Sequence, residues 1–153
     1  MTTVAAHGLS VTLPDGWEAI IYCRPPTVAG STHPVLHAAT FGLPVQRGDF
    51  GGGAVELMGP ADAMVVLLEY HPDSVSTALF ARSGLPAGLS PDLFSPACLQ
   101  RGIPGQAGVQ QFFNQSGRAF CLYAVLGSYD LRALVVPSLN AALSGIQIEG
   151  AAA

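Results

Sequence analysis

The chain has 153 residues, half of them apolar and only 10% charged, with a net charge of −4. A nucleic-acid-binding protein normally carries a basic patch, which six scattered arginines without any lysine do not form. The length predicts a single domain over residues 1–153. Soluble proteins average about 25% charged residues. The scarcity of charge here therefore predicts an apolar surface that meets a partner, either a second copy in a homodimer or another protein.

No apolar run approaches the roughly 18 residues needed to span a bilayer, since the densest run is Met64–Leu68. The first ten residues lack the basic and apolar regions of a signal peptide. The three cysteines, Cys23, Cys98 and Cys121, have neither metal-ligand spacing nor a paired framework. These observations predict a cytoplasmic protein with no membrane span, no nucleic-acid partner and no cofactor.

The first elements read as strands. Leu9–Leu13 alternates apolar and polar residues, Pro14–Gly16 has turn composition, and Trp17–Arg24 alternates again. Together these stretches predict an N-terminal hairpin. Residues 35–41 predict a further strand, and the polar, glycine-rich residues 46–53 predict a flexible connection.

Residues 54–58 and 64–70 predict two more strands, joined by a Gly-Pro turn. Their side chains Val55, Leu57, Val66 and Leu68 offer more apolar surface than one core face uses, so this region is the predicted contact surface. Asp73 is predicted to cap a short helix that runs to Phe80. The proline-rich residues 83–108 exclude a long helix and a central strand; they are either functional or an ordered cover over the core.

The clearest pattern is a hairpin over residues 110–127, split by a tight turn at Ser116-Gly117. This turn would place Gln115 opposite Arg118 and Phe113 opposite Phe120. The second arm is apolar on both faces, as in an interior strand of a covered sheet.

A helix is predicted over residues 137–144, with Pro137 in its first turn, followed by a last strand at Ile146–Ile148. The order of elements predicts an α+β fold with a mainly antiparallel central sheet, on which the C-terminal helix and short helices pack. The predicted core is apolar and drawn from both halves of the chain: Trp17, Ile21, Phe113, Phe120, Leu122, Val125, Leu139 and Leu143.

The motif Leu13-Pro14-Asp15-Gly16-Trp17 after an opening strand, with a C-terminal helix leading into a final strand, resembles the PsbP-like α/β/α sandwich superfamily. The chain is also similar to small actinobacterial proteins of this pattern. The resemblance implies a mostly non-catalytic role as an accessory subunit, adaptor or chaperone. It brings no site residue with it, because that superfamily shares no catalytic motif. The absence of a lipid-attachment cysteine near the start departs from its lipoprotein members.

Few residues suggest chemistry. His33 and His37 are four apart, and with His71 or Glu69 they form a hypothetical metal site. Pro34 and the strand-like context argue against the helical version of that site. Cys98 is the candidate nucleophile, with only Arg101 near it in sequence to lower its pKa.

Three further patterns favour structural roles. Gly51-Gly52-Gly53 lacks the Lys-Ser/Thr ending of a phosphate-binding loop and reads as a turn. Glu56 and Glu69 lie on neighbouring predicted strands and read as solvated carboxylates. Arg118, beside the hairpin turn, reads as a solvated surface group rather than a ligand anchor.

The favoured hypothesis is a non-enzymatic binding or adaptor domain that acts through protein contacts or self-association. One alternative is a small metal-dependent or hydrolytic enzyme that uses His33, His37, His71 or Cys98. Another is a carrier of a small apolar ligand, with its pocket between the sheet and the proline-rich segment.

Overall fold

A computed structural model describes residues 1–25, 32–86 and 88–150. Within these residues, eight strands and one α-helix alternate with short 3₁₀-helices. In chain order the strands and the helix are β1 (Thr2–Ala6), β2 (Leu9–Leu13), β3 (Glu18–Cys23), β4 (Pro34–Ala39), β5 (Ala63–Tyr70), β6 (Ala107–Gln115), β7 (Arg118–Leu126), α1 (Arg132–Ser144) and β8 (Ile146–Ile148).

The strands form two sheets in which every pairing is antiparallel. The large sheet has the order β3-β4-β5-β7-β6, and the small sheet has the order β1-β2-β8. β7 lies between two neighbours and is buried at every position, because its side chains are apolar on both faces. The predicted α+β fold with a mainly antiparallel sheet and a C-terminal helix is confirmed.

The β6–β7 hairpin has the predicted register. Gln115 faces Arg118, and Phe113 faces Phe120. Ser116 and Gly117 have φ angles of 56° and 75°, as a two-residue turn with positive φ at both positions requires. The two phenyl rings stack with centroids 5.5 Å apart, so the hairpin also forms part of the core.

The predicted N-terminal hairpin is wrong in its pairing. β2 pairs with β1 and β8, whereas β3 pairs with β4. Pro14–Gly16 therefore connects the two sheets instead of turning one strand back on the other. The true hairpin partner, β1, has a TTVAA sequence without large apolar residues, so its own pattern gave no strand signal.

The inner face of the large sheet packs against α1 and the small sheet. β2 contributes three alternate buried side chains, as its pattern predicts. The predicted core residues are buried except Ile21, which is partly buried and packs against the same cluster. Trp17 donates its indole N–H to the Ser138 hydroxyl at 3.1 Å, which joins the inter-sheet connection to α1.

The outer face of the large sheet is covered by irregular chain, chiefly residues 41–58, which we call the outer segment. The strand predicted at residues 54–58 is a 3₁₀-helix, Val55–Leu57. Val55, Val66 and Leu68 are buried beneath or within this layer. The predicted contact surface near residues 54–70 is therefore wrong, since β5 is sandwiched between the two cores and only Leu57 of that set stays exposed.

Two helix predictions need correction. α1 begins at Arg132, five residues before the predicted start, and Pro137 lies inside it. The proline removes a single helical hydrogen bond, to the carbonyl of Ala133. The helix predicted after Asp73 is instead a pair of 3₁₀-helices, Pro72–Ser76 and Ala78–Phe80, and the first is capped by His71.

The proline-rich segment is an ordered cover. Its side chains Leu89 and Phe94 enter the inner core, and Ser95 exchanges two backbone hydrogen bonds with Gly108 of β6. The segment thereby occupies part of the outer edge of β6, which reduces the open edge of the large sheet.

Candidate functional site

Polar side chains gather at one edge of the large sheet, where β3 and β5 end and β4 and β7 begin. The register places Cys23 opposite Pro34, Val35 opposite Leu68 and Tyr70 opposite Ala119. Residues that immediately flank these strands, far apart in sequence, therefore meet at this edge.

Two open clefts lie side by side at the same edge. The larger has a volume of about 630 Å³ and the smaller about 410 Å³, and His33 and His71 line both. The smaller cleft is lined by Arg24, Pro25, His33, Asp49, Tyr70 and His71. Both volumes fall in the range of small-molecule sites, roughly 300–1,000 Å³.

Arg118 is buried beneath the larger cleft, with 7% of its surface exposed. Its Nε and Nη2 donate to the two carboxylate oxygens of Glu69, each at 2.9 Å. Its remaining N–H groups donate to the backbone carbonyls of His7, Gly8 and Glu149. All five donors of the guanidinium are thus used inside the protein.

This arrangement corrects the prediction that Arg118 is a solvated group. The side chain joins Glu69 of the large sheet to chain that flanks β1, β2 and β8 of the small sheet. Gly8 makes this possible, because a Cβ there would lie 2.7 Å from Arg118 Nη1 and its φ is +77°. Glu69 is likewise a buried ion-pair partner and not the solvated carboxylate that its sequence context predicted.

Arg24 lies at the wall of the smaller cleft. Its Nη2 donates to the backbone carbonyl of Glu69. Its Nε is buried and has no hydrogen-bond partner within the described part of the chain, and the same residues offer no acceptor to its Nη1. The guanidinium therefore retains hydrogen-bonding capacity that Arg118 has exhausted.

His33 and His71 stand edge to face, with ring centroids 5.8 Å apart. Burial and the positive charge of Arg24 lower the pKa of His33. His71 Nδ1 accepts the backbone N–H of Asp73 at 3.1 Å, so Nε2 is the ring nitrogen that carries a proton in this geometry. His71 therefore brings an N–H donor to a position that lines both clefts.

His37 is fully buried on the outer face, in a polar cluster whose other members are partly buried. Its Nδ1 accepts from Arg47 Nε at 2.9 Å, and its Nε2 donates to the backbone carbonyl of Asp49 at 2.9 Å. The Asp49 carboxylate accepts the Tyr22 hydroxyl at 2.7 Å. Burial lowers the pKa of His37 to about 4, and burial with the Asp49 hydrogen bond raises the pKa of Tyr22.

The chain does not bring the three predicted metal-binding histidines together. His33 and His37 flank and occupy one strand, in which four residues span about 13 Å, whereas a helix would stack them. His37 is also completely buried and already holds two hydrogen bonds. Among the described residues, no three His, Cys, Asp or Glu side chains are grouped as a metal ion requires.

The remaining predicted residues lie apart from the clefts. Cys98 is exposed at the end of a 3₁₀-helix in the proline-rich segment. Glu56 pairs with Arg101 at 2.7 Å, so it does not meet Glu69. Gly53 donates its N–H to Glu56 within a tight turn, as the structural interpretation of the three glycines expects.

Sequence reasoning missed Arg24, Asp49 and Tyr70. Each stands at a strand end or in a loop, where polar residues show no periodicity. A usable signal existed only for Arg24, which ends an alternating apolar stretch just before two prolines, as chain emerging at a sheet edge does.

Comparison with protein-family models, with curated proteins and with solved structures found no match to this chain. The resemblance to the PsbP-like superfamily therefore stays a prediction that rests on Leu13–Trp17 and the order of the last elements. No helix within the described ranges is long and apolar enough to cross a membrane.

Proposed function

We propose that this protein is a non-enzymatic binding domain that associates with a second copy of itself through the outer face of α1. The observation that carries the proposal is the composition of that helix. Of its thirteen residues only Arg132 is charged, and the Arg132 guanidinium lies against the Tyr129 ring, 4.0 Å from its centroid. A surface helix normally carries charged side chains opposite its buried stripe, and a helix apolar all round is normally buried on both sides.

The inner stripe of α1 is already occupied. Val135, Leu139 and Leu143 are buried against the sheets. The opposite stripe presents uncharged side chains to solvent: Ala133, Leu134, Pro137, Ser138, Ala141 and Ser144. Leu134 is 71% exposed, and a neighbouring 3₁₀-helix that packs against α1 exposes Leu93 at 45%. The apolar surface thus extends beyond the helix.

The lack of charged side chains on this face is compatible with a second copy as the occupant. Each chain carries a net charge of −4, so most contacts between two copies place like charges together. The outer face of α1 avoids this repulsion, and a two-fold axis lets one such face meet its twin. The chain does not need the contact to fold, because its surface of 7260 Å² matches the ~7,300 Å² expected of a monomer of this mass.

Light scattering behind size exclusion, over a dilution series, tests the proposal. We expect a mass above 15.7 kDa at high concentration for the wild type. Leu134→Glu should return it to the monomer with the chain still folded, since a charge is costly only where water is excluded. Leu57→Glu, at another exposed leucine, is the matched control and should leave the mass unchanged.

A wild-type chain that stays monomeric at every concentration would refute self-association. An unchanged dimer in Leu134→Glu would move the interface elsewhere. A cytoplasmic location and a PsbP-like ancestry belong to the same proposal. The enzyme alternative has less support, because its candidate residues are dispersed: Cys98 lines neither cleft, and His37 is buried on the outer face. So does the apolar carrier, because charged and histidine side chains line both clefts and no residue of the proline-rich segment does among those described.

A further inference from the structure

We propose that the smaller cleft binds a small zwitterion of the amino-acid type, with its carboxylate on Arg24 and its ammonium group on Asp49. This site lies at the sheet edge and is independent of the α1 face. Its two charged lining residues have opposite sign and line one cleft of about 410 Å³. A free amino acid fits such a volume with space for water.

Arg24 is suited to the carboxylate. Its Nη2 is fixed by the carbonyl of Glu69, which orients the guanidinium plane, and its Nη1 donates to no described residue. The Glu69 carboxylate does not compete for Arg24, because it is held by Arg118. A guanidinium with an uncommitted N–H group, here at Nη1, pairs with a carboxylate more strongly than a neutral donor does.

Asp49 is suited to the ammonium group. One carboxylate oxygen, Oδ1, accepts the Tyr22 hydroxyl, and Oδ2 accepts no hydrogen bond from the described residues. The backbone carbonyl of Asp49 is bonded to His37, which holds the residue in place. A simple anion would be repelled by Asp49 and a simple cation by Arg24, whereas a molecule that carries both charges pairs with both residues.

Two further polar groups line the cleft. His71 Nδ1 accepts the backbone N–H of Asp73, which leaves Nε2 as the ring nitrogen available to a ligand. The Tyr70 hydroxyl makes no hydrogen bond to another described residue, and burial raises its pKa, so it stays protonated and can donate. Both groups can orient a ligand that Arg24 and Asp49 select by charge.

The test uses the full chain and two half-probes. Isothermal titration calorimetry and amide chemical shifts would follow glycine and L-alanine, with sodium acetate and methylammonium chloride as ligands that carry one charge each. We expect saturable binding of the amino acids, at least tenfold tighter than either half-probe. No saturation at millimolar amino acid, or acetate binding as tightly as L-alanine, would overturn the proposal on the wild type alone.

Variants then test the roles of Arg24 and Asp49 separately. Arg24→Gln should weaken L-alanine at least tenfold and remove its advantage over methylammonium. Asp49→Asn keeps an acceptor for Tyr22 and should remove the advantage over acetate. Arg82→Gln is the matched control, since Arg82 is exposed and, among the described residues, its side chain bonds Gln111 alone. L-alanine binding that is equal in all three variants would contradict the assignment.

Discussion

The large sheet is covered in two different ways. On its inner face, α1 and the small sheet supply regular elements whose contacts are almost wholly apolar. On its outer face, the outer segment has no α-helix or strand. Side-chain hydrogen bonds from Tyr22 and His37 attach it to the sheet, and one from Thr40 attaches the residues that follow it. A regular cover can be apolar on both sides and so leave surplus surface for a partner, whereas an irregular cover must satisfy its backbone through side chains.

The largest expected effect concerns Arg118, which joins the large sheet to the small sheet. Arg118→Met should cost about 3–5 kcal/mol of unfolding free energy, because it leaves Glu69 as a buried, unpaired charge. Denaturant titration measures the loss. Arg101→Met, which breaks the exposed pair with Glu56, is the control and should cost under about 1 kcal/mol. Equal losses in both variants would mean that Arg118 does not join the sheets.

The second-largest expected effect is a loss of stability in acid, where the hydrogen bonds of His37 attach the outer segment. The folded pKa of His37 is about 4, below the ordinary value of 6.5, so the unfolded chain takes up a proton first as the pH falls. The contribution of neutral His37 to the free energy of unfolding is complete above pH 6.5 and declines by about 3 kcal/mol towards pH 4. Arg47, Asp49 and Tyr22 are the charged or titratable groups that face the ring. None of them replaces the acceptor that His37 Nδ1 loses when it is protonated.

Stability measured across that pH range checks this expectation. His37→Gln should remove most of the decline. A smaller slope should remain, because the pKa of His33 is also lowered and its contribution has the same sign. A profile that is identical in wild type and variant would show that His37 is not held neutral.

The smallest effect concerns the hydroxyl of Tyr22, which bonds the outer segment from β3. Tyr22→Phe removes the bond to Asp49 and should cost about 1 kcal/mol. Tyr70→Phe is the matched control, since its hydroxyl bonds no described residue, and thermal unfolding should find almost no change. A Tyr70 loss as large as that of Tyr22 would contradict the contrast.

The two covers also explain what could be predicted from sequence. The β6–β7 hairpin was predictable to the register, since its turn residues and alternation both act over neighbouring positions. Val55–Leu57 alternates like a strand yet forms a 3₁₀-helix, which follows directly on a turn where Gly51 and Gly53 have positive φ. The interior strand β7 was found from its composition, whereas β1 needed its partner to be recognised.

The sites were less predictable than the fold. Arg24, Asp49 and His71 meet only once three strands have paired, and nothing in their local sequence encodes that meeting. Arg118 illustrates the same limit: an arginine beside a glycine turn reads as solvated, yet long-range carbonyls and Glu69 bury it. Polar residues outside periodic elements carry little local information about their partners.

Contact between the α1 faces of two chains is tested most directly by mixing isotope-labelled and unlabelled protein and recording intermolecular nuclear Overhauser effects. We expect such effects from the methyl groups of Leu134 and Ala141 to protons of the same stripe on the other chain. Methyl groups of Leu57, on the opposite cover, should show none. Intermolecular signals confined to residues outside α1 and Leu93, or none in a sample that scatters as a dimer, would contradict the account.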